Sequence, residues 1–282
     1  MRSKLFGALT GIVLALGALP HGLAEDRPLT INVINQRSPV LTAQYWNPIL
    51  RYVSEKSGVP LQLKMGKTAA ETSAMIKRKE FDLVYSNHIF IPENETAGYK
   101  VFARPAGGAI EGQIVVLAGS PIKSLSDLKG KEVGFPSVMA FVGYYVPMDA
   151  LLRAGIQVNP IFAGNQEGAM GQLKARRVVA AAVNSQVMRD FASREKIEYR
   201  VLWSSEDYLN IPLAALAAVP KEKLESVRTA FINMVNDPEG AKILAASAEL
   251  IKQPPPYGFV AAKDSEFDNY RKFFKHTLVK GE

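Results

Sequence analysis

The residues best placed to do chemistry lie between Ser120 and Pro147, in the run SPIKSLSDLKGKEVGFPSVMAFVGYYVP. It reads as a short helix over 124–128, a stop at Gly130, a strand over 132–135, a tight loop at Pro136-Ser137, and then a helix. Such a loop brings the free backbone N–H groups of a new helix to the carboxyl edge of a sheet. Small ligands dock at that edge in open α/β domains, and a helix N-terminus favours anions. Ser137 adds a hydroxyl donor at the same place. Tyr85, Ser86, Asn87 and His88 follow another strand and offer donors to the same kind of edge, although Asn and His there also serve as turn and capping residues. Asn35, Gln36 and Arg37 follow the first strand. Arg37 either pairs bidentately with an anion or is a solvated loop residue. Tyr144 and Tyr145 open a helix with one ring facing inward and the other available to a cleft, whereas Trp46 reads as core.

Binding chemistry is present, but the patterns of catalysis are not. Pro136-Ser137-Val138 lacks the flanking glycines of a nucleophile elbow. The chain has no nucleotide-cradling glycine loop. It has no Cys, and of its three His, His21 lies near the start and His276 in a terminal helix, which leaves His88 without metal-ligand companions. Neither a catalytic residue, a metal site nor a cofactor is expected.

The elements that must position these residues alternate. Strands are expected over 29–34, 60–65, 81–85, 100–104 and 111–118, with helices over 40–57 (stopped by Gly58), 69–79 and 89–98 between them. The alternation restarts with strands over 132–135, 160–163, 178–183 and 199–203 and helices over 142–154, 166–175 and 185–193. An apolar strand over 213–219 and helices over 221–236, 238–248 and 264–276 complete the chain. Asp237-Pro238 reads as a cap followed by Pro at the first helical position. Strand–helix alternation implies parallel sheets with crossover helices. Apolar strands near 114–117 and 213–218 bracket the second series, which suggests that the chain crosses to a second lobe and returns. Closure about such a hinge is a domain rotation.

Arg2 and Lys4, an apolar run over 5–19, and Gly22-Leu23-Ala24 before Glu25-Asp26 have the layout of a secretory signal peptide over 1–24. The run is shorter than the roughly 20 residues a membrane span needs. Cleavage is expected, delivering the protein to the periplasm. The charge of +7 from 34 basic and 27 acidic side chains is scattered along the chain, and no segment concentrates it as a nucleic-acid binder does.

Several pieces, in order and spacing, resemble the periplasmic phosphate, phosphite and phosphonate-binding proteins of bacterial ABC importers, and the related oxyanion-sensor branch. They include Trp46-x-Pro48, Phe81-Asp82-Leu83-Val84-Tyr85, Gly143-Tyr144-Tyr145-Val146-Pro147, Val201-Leu202-Trp203 with Ile211-Pro212, and Asp237-Pro238-Glu239-Gly240. The resemblance implies a type II periplasmic binding protein, α/β and two-lobed, each lobe a mixed, mainly parallel sheet flanked by helices. Residues 25–115 with 214–282 would form one lobe and 116–213 the other. It implies a monomer that binds a small ligand, an oxyanion or related small molecule, and delivers it to an ABC permease or reports it to a sensor kinase in the inner membrane. Where such proteins carry a Ser-Thr-Ser anion-binding run, this chain has Ala140, Phe141 and Val142. Where they carry a His, it has Asn165 followed by Gln166, and an acidic residue that holds a ligand amine falls near Gln186. The expected site is therefore Tyr85, Ser86, Asn87, His88, Ser137, Ala140, Phe141, Tyr144, Asn165, Gln166 and Gln186, with Phe141 and Tyr144 as an apolar wall.

Overall fold

The computed structural model describes residues 27–280; the expected signal peptide lies outside them. The chain forms β1 (Leu29–Val33), α1 (Pro39–Ser57), β2 (Leu61–Leu63), α2 (Ala69–Lys77), β3 (Leu83–Tyr85), α3 (Pro92–Glu95) and β4 (Tyr99–Pro105). It continues through β5 (Gly112–Leu117), β6 (Glu132–Phe135), α4 (Val146–Arg153), β7 (Asn159–Phe162), α5 (Gln166–Lys174), β8 (Ala180–Asn184), α6 (Ser185–Glu195) and β9 (Tyr199–Ser204). The return comprises β10 (Leu213–Leu216), α7 (Lys221–Asn233), α8 (Pro238–Ile251), β11 (Phe259–Ala261) and α9 (Asp268–His276).

Two mixed sheets result, ordered β11-β4-β10-β3-β1-β2 and β7-β6-β8-β5-β9. Strands separated by crossover helices pair in parallel, β1 with β2 and β3, and β6 with β7 and β8. The other half of each sheet is antiparallel: β10 with β3 and β4, β11 with β4, and β5 with β8 and β9. The parallel share is smaller than the alternation implies, because β10 and β5 each run against both of their neighbours and β11 runs against β4.

The apolar strands expected to cross between lobes do not themselves cross. β5 lies wholly in the second sheet, so the 115/116 boundary falls inside it, and β10 lies wholly in the first. The chain passes between sheets at 106–111 and 205–212, where Ile110 and Tyr208 exchange backbone hydrogen bonds of 2.8 and 2.9 Å.

Local chemistry explains the elements that frame the cleft. Ser38 caps α1 by accepting from Leu41 N at 3.2 Å, Pro39 starts the helix, and Gly58 ends it at φ 68°. Trp46, Ile49 and Val53 on its inner face join Leu83 and Phe231 in one apolar core. A second core, of Ile114, Val116, Phe135 and Leu151, fills the other lobe. The helix expected from Val142 is not regular: a π-helical turn over Phe141–Tyr145 precedes α4, with Tyr145 N donating to Ala140 O at 3.0 Å. Such turns recur at functional sites. Among the described residues no helix is long and apolar enough to span a membrane.

Candidate functional site

Two adjoining cavities lie between the lobes. The larger, about 50 Å³, is walled by the rings of Tyr45, Trp46, Tyr85 and Phe259 and by Gln36, Arg37, Gln186, Asn210 and Gln253. The smaller, about 30 Å³, is bounded by Asn35, Asn87, His88, Ser137, Ala140, Phe141 and Gln166. Gln36 and Asn184 border both.

Each wall follows from its element. Tyr85 ends β3 and packs its ring 4.8 Å from Trp46, which in turn lies 5.9 Å from Phe259. Asn184 ends β8 and caps α6, its Oδ1 accepting from Gln186 N and Val187 N at 2.9 and 3.2 Å. Its backbone N donates to Gln166 Oε1 at 3.0 Å, which locks Gln166 at the smaller cavity. Gly143 faces this amide: a Cβ there would lie 2.5 Å from Gln166 Nε2 and 2.7 Å from Pro136, so only glycine fits beside the loop. Gln186 Oε1 accepts from Asn210 Nδ2 at 2.7 Å. The walls are therefore largely amides that already hold one another.

Charge at the site is sparse. Burial pushes the His88 imidazole down to about 4, against the Met139 backbone oxygen that favours its protonated form. His88 is thus neutral at physiological pH. Arg37 is engaged with Asp190 at 3.3 Å and Glu167 at 3.7 Å, both from the opposite lobe. Burial raises the Tyr45 phenol to about 12 and also raises Tyr85, so both rings stay uncharged.

Of the residues expected from sequence, Tyr85, Asn87, His88, Ser137, Ala140, Phe141, Gln166 and Gln186 border one of the two cavities. Three are placed differently. Ser86 is fully buried, where its Oγ accepts from His88 N at 3.1 Å and its own N donates to Pro212 O. Tyr144 packs against Phe135 and Phe162 and faces a separate groove beside α2. Asn165 spends its Oδ1 capping α5, accepting from Gly168 N at 2.8 Å, while its neighbour Gln166 turns inward. Phe141 borders the smaller cavity, yet its ring is packed among Tyr208, Tyr270, Phe273 and Phe274. Sequence reasoning missed Asn184, Asn210, Gln253 and Phe259. Asn184 had a legible signal, since it ends a strand in the same way as Tyr85; the others arrive from the crossing and the C-terminal return.

Two expectations follow. Asn165→Ala removes a helix cap worth about 1 kcal/mol and lowers the melting temperature by about 2–4 °C, with ligand affinity within twofold of the parent. A tenfold loss of affinity would instead put the side chain in the site. The second concerns His88. Its folded value lies below the ordinary value of about 6.5, so the stability it supports is present above that value and is lost as pH falls towards 4. The His88→Gln variant should therefore gain about 3 kcal/mol relative to the parent between pH 7.5 and pH 4 in urea denaturation. Parallel curves for the two proteins would show that the imidazole is not held neutral.

A family model described as ABC transporter, phosphonate, periplasmic substrate-binding protein matches residues 31–267. Among solved structures, the binding-protein component of an ABC phosphonate transporter from Pseudomonas aeruginosa is 19% identical with a TM-score of 0.74, over 88% of this chain and 86% of that one. PhnD1 from Prochlorococcus marinus, in complex with methylphosphonate, is 14% identical with a TM-score of 0.73, over 88% and 97%. A Xanthomonas citri protein bound to chloride ion is 16% identical with a TM-score of 0.69, over 88% and 96%. At these identities the likeness speaks to the fold, that of two-lobed binding proteins. No curated protein matches the chain.

Proposed function

The chain belongs to the phosphonate family of periplasmic substrate-binding proteins of ABC transporters, and from that premise we propose that it captures its ligand in the two adjoining interlobe cavities. The family captures small ligands in the periplasm and works with an inner-membrane permease; it is a family of binding proteins, not enzymes. The finer reading is that the protein acts as a monomer after cleavage of its signal peptide over 1–24. Its lobes divide at the crossings 106–111 and 205–212, and delivery is to a permease rather than to a sensor kinase. Neighbouring permease and ATPase genes would fit delivery, and a neighbouring kinase gene would fit sensing.

The observation that carries the ligand reading is the division of labour between the cavities. At about 10–15 Å³ per water-sized site, the two together take roughly six non-hydrogen atoms. Ser137, Gln166 and the N–H groups opening the π-turn suit the polar head of a ligand. The rings of Trp46, Tyr85 and Phe259 suit a small organic portion, and the amides between them suit hydrogen bonds to an uncharged group. A compact oxyacid or related molecule with an organic substituent fits this better than bare phosphate. Native mass spectrometry of the protein purified from its own periplasm tests the reading. A small adduct is expected on the parent and is lost from Ser137→Ala and Gln166→Ala. Retention of the adduct by both variants would move the site elsewhere.

A further inference from the structure

The charged groups beside the larger cavity form a cluster that spans the two lobes. Arg37 stands in the loop after β1, and its guanidinium meets Asp190 Oδ2 on α6 at 3.3 Å and Glu167 Oε1 on α5 at 3.7 Å. Arg194 holds Glu167 from the far side at 2.8 Å. The Glu167 backbone N donates to Gln36 O at 3.3 Å, a second link across the same gap. The cluster has two positive and two negative members. All are withdrawn from water, with side-chain exposures of 14% for Arg37, 1% for Asp190, 16% for Glu167 and 22% for Arg194.

Its geometry is unlike that of a structural ion pair. Arg153 and Asp149 meet at 2.6 Å within one helix. Arg37 reaches its partners only at longer range, and Arg37 Nε, Asp190 Oδ1 and Arg194 Nη1 are buried without a hydrogen-bond partner. A buried pair with incomplete hydrogen bonding recovers little of the hydration its members give up. When the lobes part, Arg37 leaves with one lobe while Asp190, Glu167 and Arg194 leave with the other, so Arg37 and the carboxylates regain water. The cluster's dehydration is thus charged to closure itself rather than to folding.

Building on the reading of the cleft as the ligand site, we propose that this cluster is an interlobe latch that sets how readily the lobes close, with Asp190 as its proton-adjustable member. Asp190 is faced by Arg37 from the loop after β1, Tyr45 from α1, Glu167 from α5, and Arg189 and Arg194 from its own helix. Burial dominates these neighbours and lifts its carboxyl to about 6, with Arg37, Arg189 and Arg194 opposing the rise and Glu167 adding to it. In the open, hydrated form the carboxyl returns to its ordinary value near 3.9. The closed form therefore binds the extra proton between these values. Closure is favoured as pH falls through about 6, and that advantage is lost as pH rises above it.

The test reads closure directly and without ligand. The chain has no native Cys, so spin labels at Glu55→Cys on α1 and Arg177→Cys after α5, both exposed positions in opposite lobes, report the interlobe distance. Between pH 7 and pH 5 the closed-to-open ratio of the parent should rise roughly tenfold relative to that of Asp190→Asn. The comparison isolates Asp190, because every other titrating group is the same in the parent and the variant. Arg37→Gln provides a second reading that does not depend on the Asp190 variant folding: it removes a charge that opposes protonation, so the midpoint of the pH response moves upward. An identical response in parent and Asp190→Asn, or an unmoved midpoint in Arg37→Gln, would overturn the latch. A flat response leaves the cleft reading standing. A pH-dependent closure in a protein whose periplasmic adduct survives Ser137→Ala and Gln166→Ala defeats the cleft reading and keeps the latch.

Discussion

Phe141→Ala should lower the melting temperature of the ligand-free protein by on the order of 10 °C, an effect on stability rather than on ligand contact. The ring is 3% exposed and lies 4.3 Å from Tyr270, 4.8 Å from Tyr208, 5.1 Å from Phe273 and 5.4 Å from Phe274. Truncating a buried Phe costs about 3–5 kcal/mol, through lost burial and the cavity left behind. For a domain of this size each kcal/mol moves the midpoint by about 2–4 °C. The cluster is mechanically placed. Tyr270 is anchored by a 2.6 Å bond to Leu209 O in the crossing segment, and Asp149 accepts from Thr277 Oγ1 and Leu278 N at 3.0 and 2.6 Å, which pins the end of the chain to α4. Phe141 therefore ties the loop at Ser137 to the crossing and the C-terminal helix. Thermal unfolding of Phe141→Ala and Phe141→Leu, with the latter milder, checks this. An unchanged midpoint together with lost ligand binding would make the ring a cleft wall after all.

The second large effect is on affinity. Methylphosphonate and aminoethylphosphonate should bind about a hundredfold to ten-thousandfold more weakly than they bind relatives that keep the Ser-Thr-Ser run and the His. Hydrogen bonds to a charged group are worth about 1.5–3 kcal/mol each. Losing two of them removes about 3–6 kcal/mol, at about 1.4 kcal/mol per tenfold. The positions aligned with those donors supply no replacement: Ala140 ends in a methyl group, Phe141 is committed to its cluster, and Asn165 caps α5. Arg37, the cation bordering the larger cavity, is engaged with Asp190 and Glu167. Calorimetric titration decides the matter, and submicromolar affinity for either compound would show that backbone N–H groups with Ser137 and Gln166 suffice. Ala140→Ser should recover part of the loss.

Much of the architecture was legible in the residues. Alternating apolar strands and amphipathic helices announced two α/β series, because period-2 and period-3.6 patterns record which face of each element is buried. Gly58 and Asp237-Pro238 marked helix ends, since caps and stops act through the local backbone. Strand ends pointed to Tyr85, Asn87, His88 and Ser137. Tertiary structure alone decided which neighbours face the cleft. Asn165 and Gln166 are adjacent amides, but one is the cap of α5 and the other its first residue, so their side chains leave the backbone in different directions and only Gln166 turns inward. Arg37 meets Asp190 across 153 residues, and Gln253 and Phe259 reach the cavity from the C-terminal return. Contacts of that kind depend on how the two sheets dock about the crossing. Periodicity carries no record of that docking, because each side chain satisfies its local pattern whether or not the opposite lobe is there.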